Sequence, residues 1–287
     1  MRDEHWEAVE LFRCKLPDLE KLSAFVRSGD GSPEPGSELA SDDLFWPHHP
    51  TSQVAWMAMV AASDHLDALV LMMEVVEQRR FLTAPFSLAR GALVGAAQAL
   101  WILGEDDPVA RQQRALSIAI EGMTQRIGYQ AEQLKVCGEG QRKLSQRQID
   151  ELLVPMLRQA QAKSRRGYGF TDTEVIKQAS RRRFDGEEEV EAAVVTANLH
   201  WRRMGGDAHA LGWQVMLGDL EWSDDADPDA LSQAEATSDV DSAVQATLWA
   251  ATLLRMARDR YELLAAPPPP QDPDDGETPH AGAPGAE

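Results

Sequence analysis

Apolar residues recur at helical spacing through most of the chain between residues 51 and 265, and this periodicity limits the fold more than any other feature. Over 51–80 they form one stripe with steps of three or four residues, as one face of a long helix requires. Strand signals are scarce, and only 213–222 has the pattern of a short hairpin or an irregular excursion. The periodicity therefore predicts an all-α fold.

Start and stop signals divide this periodic region into helices with short connections. Pro85 suits the first turn of a second long helix that Gly104 ends, and Asp107-Pro108 begins a third. The second helix is rich in Ala and Gly, so a neighbouring helix can approach it closely. Further helices are predicted over 145–163 with a kink at Pro155, over 171–180, over 187–204 and over 239–264. The pattern predicts an antiparallel multi-helix bundle with an irregular excursion near 213–238.

Changes in composition mark the boundaries of this bundle. Residues 28–43 are rich in Gly, Ser, Pro and acids, which predicts an N-terminal helix over 1–27 and a loop over 28–50. The helical bundle domain then covers 51–265. Beyond it, Pro, Asp, Gly and Ala dominate, and large apolar residues are too few to offset the ordering entropy, so we expect a disordered tail over 266–287.

Charge is unevenly distributed in a chain whose formal net charge is −19. The segment 141–183 holds eleven Lys and Arg against four acids, a net +7, whereas 184–241 holds fifteen acids and two arginines, a net −13. This predicts either a polyanion-binding strip beside a repelling surface or two faces that neutralise each other within or between subunits. The overall acidity argues against broad attraction to nucleic acid or anionic membranes.

Two further absences in the sequence narrow its location and cofactors. No segment reaches the roughly 18 uninterrupted apolar residues of a membrane span, and the first ten residues are charged where a signal peptide is apolar. We therefore expect a cytoplasmic protein without membrane contact. The two cysteines lack metal-ligand spacing, and the sequence has no phosphate loop and no dinucleotide fingerprint. The sequence predicts no metal and no cofactor.

Three of the seven histidines lie close together in sequence. His48 and His49 precede a proline at the end of the predicted loop, where capping explains them. His65 lies between carboxylates in the run 64–67, but no Glu-x-x-His pair follows on a partner helix, as di-iron bundles require. The sequence assigns no function to these histidines.

The stretch WRRMGGDAHALGW, Trp201–Trp213, is unusually dense in chemically capable residues. Its adjacent glycines can take the left-handed conformation that ends a helix, and Asp207 can cap the helix that follows. This leaves Arg203, a fixed cation suited to a phosphate, and His209, a proton carrier near neutral pH. A bend between helices would allow these two side chains to meet, whereas the alternative is a helix junction without function.

The motif Arg203-Met-Gly-Gly-Asp-Ala-His209, late in an all-helical bundle, resembles the signature of the HEPN superfamily (higher eukaryotes and prokaryotes nucleotide-binding domains). Many members are metal-independent ribonucleases of toxin and antiviral systems. The resemblance implies acid–base chemistry by His209 at the ribose 2′-hydroxyl and the leaving oxygen, with Arg203, or alternatively Arg202, holding the scissile phosphate. It also implies two subunits that pair their motifs in one cleft, and Asp207 completes the candidate catalytic set. The chain is otherwise similar to bacterial helical proteins rich in such junctions.

A second arginine-rich region precedes this motif. In the loop SRRGYGF two arginines are interleaved with two aromatic residues, and three consecutive arginines follow soon after. Proteins commonly hold single strands with guanidinium groups on phosphates and aromatic rings under bases. The alternative is a solvated loop whose rings pack into the bundle. The candidate nucleic-acid-binding residues are Arg165, Arg166, Tyr168, Phe170, Arg181, Arg182 and Arg183.

Three classes of function remain open: a non-catalytic interaction or regulatory protein, a HEPN-like ribonuclease or nucleic-acid effector, and a small-molecule-binding bundle. If the chain is a non-catalytic interaction protein, His209 should be buried against a neighbouring tryptophan. The third predicts a closed apolar pocket among Trp56, Trp101 and the methionines. Candidate partners are a second copy of the chain, RNA, and a protein that shields the basic segment 141–183.

Overall fold

The computed structural model describes residues 2–74, 83–165, 169–184, 186, 188–209, 220–222, 234–236 and 240–268. Over these residues the chain is almost entirely helical, which confirms the predicted all-α class. In chain order the elements are α1 (Arg2–Ser28), α2 (Glu38–Asp43), α3 (Thr51–Glu74), α4 (Ala84–Leu103), α5 (Pro108–Gln133), α6 (Glu139–Gln148), a π-helical turn (Ile149–Leu153), α7 (Val154–Lys163), α8 (Asp172–Arg183), α9 (Val190–Ala208), β1 (Leu220–Trp222), β2 (Ala234–Ala236) and α10 (Val240–Ala265).

Helix α4 is the centre of the bundle, packed by α3, α5, α8, α9 and α10. Its small residues explain this position. A Cβ atom at Gly95 would lie 2.6 Å from the backbone oxygen of Ala58 and 2.9 Å from the backbone nitrogen of Ala62 on α3, so only glycine permits this approach. The predicted close packing against this helix is confirmed.

Two apolar helices meet the length and composition of a membrane span, Thr51–Met73 in α3 and Ala84–Leu103 in α4. The core helix of a folded domain has the same properties, and in α4 67% of the apolar window is buried by the surrounding helices. These lengths and compositions therefore do not separate the two cases, and the cytoplasmic location stays a prediction.

The N-terminal region differs from the expected separate helix and loop. Phe12, Leu19 and Val26 of α1 are buried in the same core as α3 and α10, so the helix is part of the bundle. The segment 28–50 is not entirely a loop, because Glu38–Asp43 forms α2, which Ser37 caps through the backbone N–H of residue 40. The glycine- and proline-rich composition predicted a loop here, but the local cap at Ser37 stabilises the short helix α2.

A buried ion pair fixes α2 on α5. The guanidinium of Arg111 donates from Nε to Asp42 at 2.6 Å and from Nη1 to the backbone carbonyls of two residues. The side chains of Arg111 and Asp42 are each 1% exposed. Burial raises the pKa of Asp42, while the hydrogen bond from Arg111 opposes this shift. Asp43 then accepts hydrogen bonds from the backbone N–H and hydroxyl of Ser52, at 2.8 and 2.6 Å, at the start of α3. These contacts hold the segment 44–50 between α2 and α3.

Helix boundaries follow local signals in most places. Asp107 caps α5 through the N–H of Val109 at 3.0 Å, and proline lies in the first turn of α4, as predicted. The helix expected from Ser145 begins earlier, at Glu139, and its predicted break takes the form of the π-helical turn just before Pro155, which lacks an N–H for the regular ladder. Most of the predicted excursion near 213–238 and residues 269–287 of the predicted tail lie outside the described residues; β1 and β2 pair antiparallel with Leu220 opposite Ala236.

Candidate functional site

The predicted helix end at the glycine pair after Met204 is wrong. Helix α9 continues through Gly205, Gly206 and Asp207 to Ala208, and the N–H of His209 still donates to the carbonyl of Gly205 at 3.1 Å. Asp207 lies within α9, and the helix that it is predicted to cap falls in residues 210–219, outside the described residues. A Cβ atom at Gly205 would lie 3.9 Å from the Nε atom of Arg90 on α4, an ordinary van der Waals distance. Adjacent glycines permit a helix end without imposing one.

The continuous helix does not bring the two candidate catalytic side chains together. Six residues of α-helix separate Arg203 and His209 by about 9 Å along the axis and about 120° around it. The guanidinium of Arg203 lies over the Phe86 ring at 5.3 Å and donates to the Ser242 hydroxyl at 3.1 Å. Arg202 and His209 are exposed, so His209 is not buried against a tryptophan.

The candidate nucleic-acid residues do not form one open strip either. Phe170 packs against Trp101, with ring centroids 5.6 Å apart, and thus belongs to the bundle. Arg181 pairs with Glu191 at 3.3 Å, which joins the basic segment 141–183 to the acidic segment 184–241, and Arg182 pairs with Glu105 of the α4–α5 connection at 3.6 Å. In the remaining set, Arg183 stacks on Phe184, Arg165 is exposed, and Arg166 and Tyr168 lie outside the described residues.

A groove between α3, α4 and α5, of about 880 Å³, brings together a different set of side chains. Each helix contributes residues at steps of three or four, which places them on one face. The floor is apolar and built largely of small residues, and the outward side is open, since Met57 is 59% exposed. The apolar and small residues of the groove are Val54, Met57, Ala58, Ala61, Gly91, Val94, Gly95, Ile118, Ala119, Gly122 and Met123.

Three basic side chains meet at one end of this groove, which we call the α3 N-terminal end. His48 and His49 immediately precede α3, and Arg126 extends from α5. Burial lowers the pKa of His49, and the nearby charges of His48 and Arg126 lower it further. Trp46, buried against Leu116 and Met123, holds this segment on α5. The end combines one fixed positive charge with two imidazoles.

His65 and Arg90 form the opposite end, the His65 end. The imidazole of His65 occupies the space that a Cβ atom at Gly91 would fill, so glycine is required for this ring to lie on α4. The guanidinium of Arg90 lies 4.1 Å from the centroid of the Trp201 ring. Trp201 is itself fixed by donating from Nε1 to the Thr173 hydroxyl at 3.1 Å. Arg90 is therefore held in place by an aromatic ring.

None of the five basic side chains of the groove forms an ion pair or accepts or donates a side-chain hydrogen bond within the part of the chain described. The Nε atom of Arg90 is buried without an acceptor. Asp172, in the first turn of α8, is the one acid that lines the groove among the described residues. The groove is thus a basic, apolar-floored site in a chain whose formal net charge is −19.

The groove differs from the pocket that the sequence suggested. Trp56 packs between Phe25 and Tyr261, at centroid distances of 5.5 and 5.1 Å, and Trp101 donates to Gln178, so neither lines it. Among the described residues, no group of three or more His, Cys, Asp and Glu has an arrangement that could hold a metal ion. The arrangement suits binding of an anion with an apolar body.

Sequence reasoning missed this site because its basic residues belong to different segments. One signal was available. Gly91 and Gly95 on α4 have the small-x-x-x-small spacing of Ala58 and Ala62 on α3, which marks a close helix pair and makes the polar residues beside it candidates for a shared site.

Comparison with protein-family models, curated proteins and solved structures finds no match. The resemblance to the HEPN superfamily therefore rests on the motif from Arg203 to His209 alone, and the ribonuclease assignment stays a prediction.

Proposed function

We propose that this protein binds a small organic anion with an apolar body in the groove between α3, α4 and α5. The observation that carries the proposal is the convergence of five basic side chains, none of them in an ion pair within the described residues, around a largely apolar floor that one acid, Asp172, also lines. A volume of about 880 Å³ lies within the range of small-molecule sites, which are typically apolar with a few placed polar groups.

Charge and burial support an anion over a neutral ligand. Arg126 carries a permanent positive charge at the α3 N-terminal end, and Arg90 carries another at the His65 end. Each would gain a charge-assisted hydrogen bond from a carboxylate, sulfonate or phosphate. The apolar side chains between them would cover the body of the ligand and supply the hydrophobic part of its affinity.

The test uses 1-anilinonaphthalene-8-sulfonate, a fluorescent anion with an apolar body. Gly122 lines the groove on α5, and an added Cβ atom there meets no other atom within 4 Å, so Gly122→Leu fills the groove without a clash against the fold. Gly128 lies on the same helix in equally open space and is not part of the groove, which makes Gly128→Leu the matched control. We expect Gly122→Leu to weaken binding at least about tenfold and Gly128→Leu to leave it unchanged.

A second pair of variants tests the charge. Arg126→Met should weaken binding of the same probe, whereas Arg255→Met, which removes an exposed arginine of α10, should not. Circular dichroism and thermal unfolding establish that all four variants are folded. Equal binding by Gly122→Leu and Gly128→Leu, or no saturable binding by the wild type, contradicts the proposed function.

A further inference from the structure

The two basic ends of the groove are far apart. His65 lies near the end of the groove along α3, and the helix begins at Thr51, so the rise per residue separates these positions by about 21 Å. His48, His49 and Arg126 all line the groove, and His48 and Arg126 are close enough to act electrostatically on His49, so the three form one cluster. The contact of the His65 ring with Gly91 places Arg90, its chain neighbour, at the other end.

The stretch between the two ends is mainly apolar, and Gln53 of α3 and Gln98 of α4 are the uncharged polar residues that line the groove. At its middle, the Gly95 backbone lies directly against Ala58 and Ala62, so no long side chain of α4 interrupts the floor there. Val94 of α4 and Ile118 of α5 continue the apolar surface on either side. A ligand that spans the groove would therefore meet the guanidinium of Arg126, then a mainly apolar stretch, then the guanidinium of Arg90.

We infer that the ligand of this groove is an elongated organic dianion, with a negatively charged group at each end and an unbranched apolar chain between them. This inference rests on the proposed function and specifies its ligand class. A monoanion would satisfy one basic end and leave the other without a counter-charge. A compact dianion would reach one end alone and leave the apolar floor uncovered.

Arg90 has the features of an anchor for one of the two anionic groups. Its guanidinium lies over the Trp201 ring, 4.1 Å from the centroid, and this contact holds it in place before a ligand arrives. Its Nε atom is buried and has no acceptor within the described part of the chain. The planar fork of a guanidinium matches the two oxygens of a carboxylate, which would supply the missing acceptor.

Isothermal titration calorimetry with three carboxylic acids tests the inference on the full chain. Hexadecanedioate has two carboxylates on a chain long enough to span the groove, hexadecanoate has the same chain with one carboxylate, and octanedioate has both carboxylates on a short chain. We expect hexadecanedioate to bind at least about tenfold more tightly than either of the others. The comparison with hexadecanoate measures the effect of the second carboxylate. The comparison with octanedioate measures the effect of chain length.

Variants connect the second carboxylate to named residues. Arg90→Met and Arg126→Met should each reduce the affinity for hexadecanedioate to about that of hexadecanoate, while Arg255→Met preserves the difference. Because Arg126 is exposed and makes no contact that the fold needs, its variant remains informative when Arg90→Met is unstable.

The outcomes separate the inference from the proposed function. Equal affinities for the long diacid and the long monoacid, with Gly122→Leu still blocking both, overturn the dianion and leave the proposed anion site in place. If none of the three acids binds and the fluorescent sulfonate is insensitive to Gly122→Leu, the proposed function itself is wrong.

Discussion

The guanidinium of Arg90 lies 4.1 Å from the centroid of the Trp201 ring, so an arginine of α4 rests on an aromatic residue of α9. The reverse contact lies beside it, with Arg203 of α9 5.3 Å from the centroid of the Phe86 ring of α4. Each helix thus supplies one cation and one ring to the other. The contacts tie α9, which does not line the groove, to the helix that forms its floor.

The stack of Arg90 on Trp201 should contribute measurably to stability. A double-mutant cycle of Arg90→Met and Trp201→Leu is expected to give a coupling energy of about 0.5 to 2 kcal/mol, because the pair is partly buried. Urea unfolding of the four proteins measures it. A coupling energy of zero would mean that the two side chains are neighbours without net attraction.

Replacement by alanine should change the free energy of unfolding in opposite directions at two glycines on neighbouring helices, α4 and α5. A Cβ atom at Gly95 would lie 2.6 Å from the backbone oxygen of Ala58, so Gly95→Ala should reduce the free energy of unfolding by about 1 to 3 kcal/mol. Gly122 has open space, and Gly122→Ala should increase stability by up to about 1 kcal/mol through helix propensity. Thermal unfolding of both variants checks the signs; destabilisation by Gly122→Ala would contradict the open wall on α5.

Removal of Arg111, the buried arginine of α5, should strongly reduce the free energy of unfolding. Arg111→Met leaves Asp42, 1% exposed, without its partner, and we expect a loss of about 3 to 5 kcal/mol. The paired change Arg111→Met with Asp42→Leu should recover much of that loss, since no unpaired buried charge remains. The exposed pair of Arg147 and Glu151 is the control, and Arg147→Ala should change urea unfolding little. A double variant as unstable as Arg111→Met alone would show that the pair itself is needed.

Stability should depend on pH through His49. Burial and the charges of His48 and Arg126 lower its pKa below the ordinary 6.5, so the unfolded chain takes up this proton at a higher pH than the folded protein does. The free energy of unfolding contributed by His49 is therefore complete above 6.5 and is lost as the pH falls through the lowered pKa. His49→Gln should lose less stability than the wild type between about pH 7 and pH 5. Equal pH dependence in chemical unfolding would exclude this origin.

The resemblance to HEPN ribonucleases predicts cleavage of RNA without metal. Wild type and His209→Ala are compared on a mixed RNA pool with EDTA present, and the resemblance requires that only the wild type cleaves. His209 is exposed at the end of α9, so its substitution leaves packing intact and a loss of activity is chemical. Arg203→Ala also removes the contacts to Phe86 and Ser242, so its result needs a stability measurement beside it. An inactive wild type, or equal cleavage by both proteins, limits the resemblance to the sequence motif.

The helices were largely predictable because their signals are local. Asp107 with Pro108 determines the start of α5, and the small residues of α4 predict the close approach that Gly95 makes to α3. The same reliance on local signals caused the error at Gly205, where α9 continues to Ala208. A backbone that permits a helix end does not impose one.

The groove could not be predicted from local sequence signals for a related reason. His49 and Arg126 lie far apart in sequence, and only the packing of α5 beside α3 makes them neighbours. The sequence places His65 between carboxylates, whereas in the structure Asp67 pairs with Arg27 at 2.7 Å and the imidazole lies against Gly91. Sequence order groups side chains along one helix, and the groove is formed by faces of different helices.

The walls of the groove differ in how much change they tolerate. Gly91 and Gly95 are in direct contact with α3, so substitution on that side alters the packing that holds the bundle together. Gly122 on the α5 side borders empty space and accepts larger side chains. One wall is thus fixed by folding while the other is free to vary, and ligand preference in such a protein can diverge through substitutions on α5 while the scaffold stays the same.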